Sequence, residues 1–266
     1  MKILLAMMSF SFAMSQGEYV FRLGGCVHCH TVEAKRPLTG GRSLVTPFGT
    51  FYTPNISPDP ETGIGRWTYE QFSRALRQGV APDGRVYYPS FPYSSFAQLT
   101  DEDTKALWEF MTTMPPFHQV SRVHDLSFPF NQSFLMRIWR TLFFSPSQPP
   151  TRGSYLVESM LHCAECHTPR NSFGAFEMNQ WMAGSSMKFD GRVPPNLTPD
   201  PETGLGSWTE ADWVKFLSSG ILPSGRTVGS EMASVISATA VLRPEDRKAV
   251  VDYFRSLPPI HREKTK

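Results

Sequence analysis

Charged residues are scarce in this chain, at 19% of its 266 residues, and the two signs nearly cancel to a formal charge of +2. No run of lysine and arginine builds a basic face, so nucleic-acid binding drops out at the start. Long apolar runs are missing as well. The longest spans Ile3 to Met14 and is diluted by Ser9 and Ser11; the span of a bilayer takes roughly 18–20 residues. No segment shows sustained period-two alternation, so mainly helical structure is expected. Cysteine occurs at only 4 positions. What the chain has in quantity is proline (23) and glycine (19), a composition that points to short helices joined by long ordered loops rather than to a coiled coil or a disordered tail.

The N-terminal segment carries Lys2 ahead of the apolar run, with Ala13 and Ser15 at the −3 and −1 positions of a cut before Gln16. Residues 1–15 therefore read as a secretory signal peptide. The mature chain is expected in the periplasm, where thiols oxidise.

The sequence is written twice. "NISPDPETGIGRW" at 55–67 answers "NLTPDPETGLGSW" at 196–208, with 9 of 13 positions identical and an offset of 141. Gly79 and Gly220 keep that offset, "GEYV" at 17–20 answers "GSYL" at 153–156, and Pro115 answers Pro258. So long a period means two copies of a domain rather than a solenoid. Expected boundaries are 16–116 and 153–260 for the copies, 117–152 for a linker and 261–266 for a tail. In each copy a short helix, a long Gly- and Pro-rich loop, a middle helix ending at Gly79 or Gly220, and a last helix (100–114 or 243–257) are expected.

Each copy contains one Cys-x-x-Cys-His: Cys26, Cys29 and His30, then Cys163, Cys166 and His167. A four-ligand zinc site would have to bridge the copies, although each copy has its own complete motif. A redox pair would not explain the histidine that follows in both, and no βαβ pattern surrounds it. The motif is that of c-type haem attachment, in which two thioethers fix the porphyrin and the histidine meets the iron. Two covalently bound haem c groups are expected, with His30 and His167 as metal ligands. His28 and His162 are expected to meet solvent or a propionate, not iron.

In this respect each copy resembles a class I cytochrome c, and the expected fold is all-α: two tandem class I domains joined by a linker that contains an amphipathic helix. The resemblance implies a proline carbonyl that orients each proximal histidine, for which Pro54 and Pro195 are the candidates. Trp67 and Trp208 have two readings of equal weight, indole donors to a propionate or simple core residues. A distal methionine is implied in the loop before the last helix. In the second copy that residue is Met232. The first copy has no methionine there, and Phe91 stands in its place. Met111 and Met114 read as core. His118, His124, a methionine from elsewhere, or no protein ligand at all are the remaining options for the first iron.

Across "GEYVFRLGGCVHCHT", "LTGGRSLVTPFGTFYTPNISPDPETGIGRWT", "YPSFPYSSFAQLTDEDTKALWEFMTTMPP", "FPFNQSFLMRIWRTLFF" and "GSYLVESMLHCAECHTPRN" the chain resembles the cytochrome c subunits of bacterial membrane-bound alcohol, aldehyde and gluconate dehydrogenases. Relatives in that family often carry a third haem and a C-terminal membrane-binding segment; two haems are expected here. The resemblance implies an electron-transfer subunit, not an enzyme. It would take electrons from a partner dehydrogenase and deliver them to a downstream cytochrome, oxidase or quinone. The alternative is a dihaem enzyme, peroxidase-like or thiosulfate-oxidising, that uses an open coordination site on the first haem. In the linker, Phe130, Phe134, Leu135, Ile138, Trp139 and Leu142 form one apolar face, expected to pack between the copies. The other reading is a docking helix, with peripheral association to a membrane surface.

Overall fold

The computed structural model describes residues 14–188, 191–229 and 231–263. The expected signal peptide lies outside the described residues except for Met14 and Ser15. Ser15 caps the first helix, its hydroxyl accepting the Glu18 N–H at 3.1 Å.

In the first copy, α1 (Gln16–Leu23) leads into α2 (Cys26–His30). Strands β1 (Ser43–Thr46) and β2 (Gly49–Tyr52) form a hairpin. Helices α3 (Tyr69–Gln78), α4 (Tyr93–Phe96) and α5 (Asp101–Thr112) follow. The linker holds β3 (Asp125–Leu126) and α6 (Leu135–Phe143). The second copy opens with α7 (Arg152–Ser154), which continues as a π-helical segment Tyr155–Met160, and α8 (Ala164–His167). It closes with α9 (Glu210–Ser219), α10 (Glu231–Thr239) and α11 (Pro244–Ser256).

The all-α expectation is corrected by an antiparallel sheet in the order β1-β2-β3, so the chain has mixed α/β content with helix predominating. The strands were too short to register as alternation. The outer one is 2 residues long and comes from the linker, pairing Thr50 with Asp125 and Gly49 with Leu126. No local pattern announces such a distant partner.

Repeat identity has local physical causes. Thr68 and Thr209 each cap a middle helix through a capping box with Gln71 and Asp212. In the Pro-Asp-Pro-Glu-Thr loops, Asp59 Oδ1 accepts the Thr62 N–H at 2.7 Å and its hydroxyl at 2.8 Å, and Asp200 does the same for Thr203 at 2.6 and 2.8 Å. Gly17 and Gly153 sit where the opening helix crosses the last helix of its own copy. A Cβ at either would strike the carbonyl of Ala106 or Ala249.

The copies are joined by exchanged contacts. Tyr19 of the first donates to Asp246 Oδ2 of the second at 2.7 Å, and Tyr155 of the second donates to Asp103 Oδ2 of the first at 2.5 Å. Tyr19 and Tyr155 are repeat mates, as are Asp103 and Asp246, so the interface is isologous in the manner of a two-fold dimer. The packing of elements obeys the same rule, with α1 against α10 and α4 against the π-helical segment. One apolar cluster runs through both copies, from Tyr19 and Leu107 to Leu156 and Val250.

The linker helix touches both copies, only in part through the expected face. Arg140 Nε donates to the Gln78 carbonyl at 2.9 Å and Trp139 Nε1 to the Phe173 carbonyl at 2.8 Å, while Met136 is buried. Phe134, Ile138 and Leu142 are 61%, 53% and 68% exposed, so half of the expected packing stripe faces outward.

Asp246 lies at the centre of the interface. Burial alone would raise its pKa, but hydrogen bonds from Arg152 (2.7 and 2.8 Å) and Tyr19 hold it below its ordinary 3.8. A depressed carboxylate contributes stability that is complete above the unfolded value and is lost as pH falls through the lower folded value. Tyr19→Phe should therefore cost about 1.5–3 kcal/mol in denaturant titrations at neutral pH, with the difference from wild type shrinking in acid below 3.8. An equal difference at both pH values would contradict this assignment.

Candidate functional site

Both Cys-x-x-Cys-His motifs begin from backbone in the left-handed region. Gly25 has φ 63° and its repeat mate His162 has φ 40°, so the chain turns sharply into each motif in the same way. Glycine takes this conformation freely, whereas histidine is strained in it. Cys26 and Cys29 lie on α2, and Cys163 immediately precedes α8, which holds Cys166. None of the four is in a disulfide.

Burial pushes the thiols of Cys26, Cys163 and Cys166 up to about 12 and raises that of Cys29. A redox-active pair would need the opposite shift, since the thiolate is the reactive form. No cluster of three or more His, Cys, Asp or Glu side chains forms a metal site among the described residues.

The histidines have one nitrogen accounted for. His30 Nδ1 lies 2.7 Å from the Pro54 carbonyl, and His167 Nδ1 lies 2.8 Å from that of Pro195. A carbonyl only accepts, so Nδ1 carries the proton and Nε2 keeps its lone pair. Burial lowers both pKa values, against the opposing pull of each carbonyl, which favours the neutral ring. Two apolar-sited thiols and one neutral imidazole with Nε2 free form a donor set that fits a covalently attached haem. The Trp213 indole N–H is buried without a hydrogen-bond partner among the described residues.

The remaining expected residues separate. Trp67 and Trp208 both pack against the apolar core, and Trp208 lies 5.1 Å from the rings of both Trp213 and Phe216. Met232 is half-buried on the first turn of α10, a helix where a loop was expected. Phe91 is half-buried among Tyr87, Tyr93 and Phe96 at centroid distances of 5.7, 6.5 and 6.0 Å. His118 stands outside, with Nδ1 3.5 Å from Glu61 and 3.7 Å from Asp59, and His261 repeats the arrangement with Asp200 and Glu202.

Each motif helix reaches an element of the other copy, α2 meeting α10 and α8 meeting α4. The third residue of each motif reaches the other copy: His28 Nε2 is 3.0 Å from Ser237 Oγ, and Glu165 accepts from Ser95 Oγ at 2.8 Å. His162 Nε2 donates to the Gly24 carbonyl at 3.3 Å and sits edge-on to Phe96. His28 and His162 are thus interface residues rather than solvent contacts. Arg42 ties the carbonyl of His28, at 2.6 Å, to the carboxylate of Glu231. The sequence reading missed this juxtaposition.

The Cytochrome c family matches residues 14–115. The chain is 41% identical to "Diheme cytochrome c-type" of Cereibacter sphaeroides, over 92% of this chain and 86% of that protein. It is 37% identical to the cytochrome c subunit of alcohol dehydrogenase (quinone) of Gluconobacter oxydans, over 93% of this chain and 55% of that one. With the gluconate 2-dehydrogenase cytochrome c subunit of Pantoea cypripedii it shares 37% identity, over 92% of this chain and 59% of the relative. The chain therefore spans a little over half of these two dehydrogenase subunits.

Replacing Cys26 and Cys29 together by alanine should leave one covalent haem, seen as half the haem per chain by haemochrome absorbance after denaturing extraction. The same loss should follow Cys163 and Cys166 replacement. Two haems retained in either variant would contradict this reading of the motifs.

Proposed function

Because the chain belongs to the family of dihaem c-type cytochromes and carries two covalently bound haem c groups, we propose that it is an exported two-centre relay between a dehydrogenase and a respiratory acceptor. When bound, each haem supplies a one-electron ferric/ferrous couple. The chain's residues hold, orient and space the two centres. The observation that carries this reading is that both motifs border one interface: His28 of α2 meets Ser237 of α10, Glu165 of α8 meets Ser95 of α4, and His162 beside the second motif meets the Gly24 carbonyl beside the first. Attachment sites that both border one packed interface suit transfer within a chain, without a diffusional step.

In this proposal the haem units are residues 16–116 and 153–260, with 117–152 as the linker. His30 and His167 ligate through Nε2. Pro54 and Pro195 fix the ring planes and raise ligand basicity through the Nδ1 hydrogen bonds. Met232 supplies the distal sulfur in the second unit. Trp67 and Trp208 close the crevices as apolar walls, a role supported by their packing on the core.

A dehydrogenase is the proposed electron donor, since the alcohol and gluconate dehydrogenase relatives are named as cytochrome subunits of such enzymes. A cytochrome, oxidase or quinone is the proposed acceptor. The periplasmic placement rests on the leader read in residues 1–15. No described helix is long and apolar enough to cross a membrane. The outward stripe of Phe134, Ile138 and Leu142 is compatible with peripheral membrane contact.

Two measurements test the proposal. After sub-stoichiometric one-electron reduction of the ferric protein, re-equilibration between the haems should be first order, with a rate independent of protein concentration. A rate proportional to concentration would mean exchange between molecules and would contradict the relay. Met232→Ala should alter the spectrum of one haem and leave the other unchanged; spectra identical to wild type would remove Met232 from the iron.

A further inference from the structure

The repeat makes a comparison that neither copy makes alone. Phe91 and Met232 are separated by 141 residues, the same offset as Asn55 and Asn196 or Gly79 and Gly220. Both lie on the stretch between the middle and last helices of their copies. Where the second copy has a thioether able to bind iron, the first has a phenyl ring, which has no lone pair to give.

Several other groups that could replace that ligand are engaged elsewhere. His124 Nδ1 accepts the backbone N–H of Tyr52 at 3.2 Å. In the neutral ring its proton is then on Nε2, and no nitrogen lone pair is left for a metal. Burial lowers the pKa of His124 and so favours that neutral ring. His118 is 59% exposed beside Asp59 and Glu61, and its repeat mate His261 does the same in the copy that has Met232. His162 donates Nε2–H to the Gly24 carbonyl. Met111 is 2% exposed in the apolar core, and Met114 packs against that core. Met136 is buried in the linker helix.

Phe91 belongs to an aromatic wall that reaches the haem attachment. Its ring meets Phe96, and Phe96 and the Cys26 sulfur both border the same side of Gly24. Tyr87 and Tyr93 complete the wall; burial pushes the Tyr87 phenol up to about 12 and the Tyr93 phenol further up, so both stay neutral. Such surroundings penalise a charged ligand, which would lose its hydration without gaining a counter-charge.

Resting on the assignment of haem to both motifs, we propose that the first haem has no protein ligand on its distal side and that the aromatic wall around Phe91 forms a binding site there for a neutral diatomic molecule that accepts electron density from ferrous iron. The chain is thus asymmetric, with one centre closed by Met232 and one open at Phe91.

Carbon monoxide is the probe. Titration of the fully reduced, full-length protein should reach saturation at one CO per two haems, with half of the Soret absorbance shifting. Phe91→Met should close the site, lowering CO uptake at least tenfold and adding a second sulfur-to-iron charge-transfer band in the ferric spectrum. Phe91→Leu, which keeps an apolar side chain without a donor atom, should still bind one CO, so a folding defect in the methionine variant would not decide the matter. Two haems per chain with neither taking CO would overturn the open site and leave the relay untouched. CO taken by both haems of the wild type would overturn the asymmetry. One CO per chain combined with concentration-dependent exchange between haems would uphold the open site and sink the relay instead.

Discussion

Two buried phenol-to-carboxylate hydrogen bonds, Tyr19 to Asp246 and Tyr155 to Asp103, fix how the copies meet. A buried carboxylate is tolerated only when its oxygens are satisfied, and each copy satisfies the other's. Arg152 completes Asp246 from within the second copy, as Gln16 completes Asp103 from within the first at 2.7 Å. Neither copy can rotate against the other without leaving a buried charge short of donors. That rigidity holds α2 against α10 and α8 against α4 at one interface, and everything proposed about electron transfer depends on it.

The fold spends its symmetry and its asymmetry in different places. Structural features recur in pairs: the glycines at the helix crossings, the Asp-Thr loops, the histidine-to-proline contacts, the serine reaching the third motif residue. The differences lie where the chemistry would be tuned. Glu165 is paired with Arg170 while its mate His28 leans on Ser237, and Phe91 stands where its mate is Met232. Two identical centres would have similar potentials, and differing surroundings are the chain's means of separating them.

Much of the site was legible because it is local. Cys-x-x-Cys-His needs only five consecutive residues, and the proline carbonyls follow it at a short separation within the same copy, at Pro54 and Pro195. The sheet was not legible, since β3 comes from a linker more than 70 residues away from its partner. The exchange of tyrosines was hidden for a different reason. A Tyr-Asp pair within each copy and a Tyr-Asp pair swapped between copies produce the same repeated sequence, so only three-dimensional structure separates them. For the linker helix, periodicity gave an apolar stripe but not its partner, and Phe134, Ile138 and Leu142 turned outward.

The central claim is that exchanged contacts hold both haem attachment helices at one interface in a fixed mutual orientation. Circular dichroism in the Soret region of the reduced dihaem protein tests it most directly, because two neighbouring porphyrins in fixed orientation couple. The account predicts a bisignate couplet that weakens when Tyr19 and Tyr155 are both replaced by phenylalanine. A spectrum equal to the sum of the two single-haem variants, and unchanged by those replacements, would contradict it.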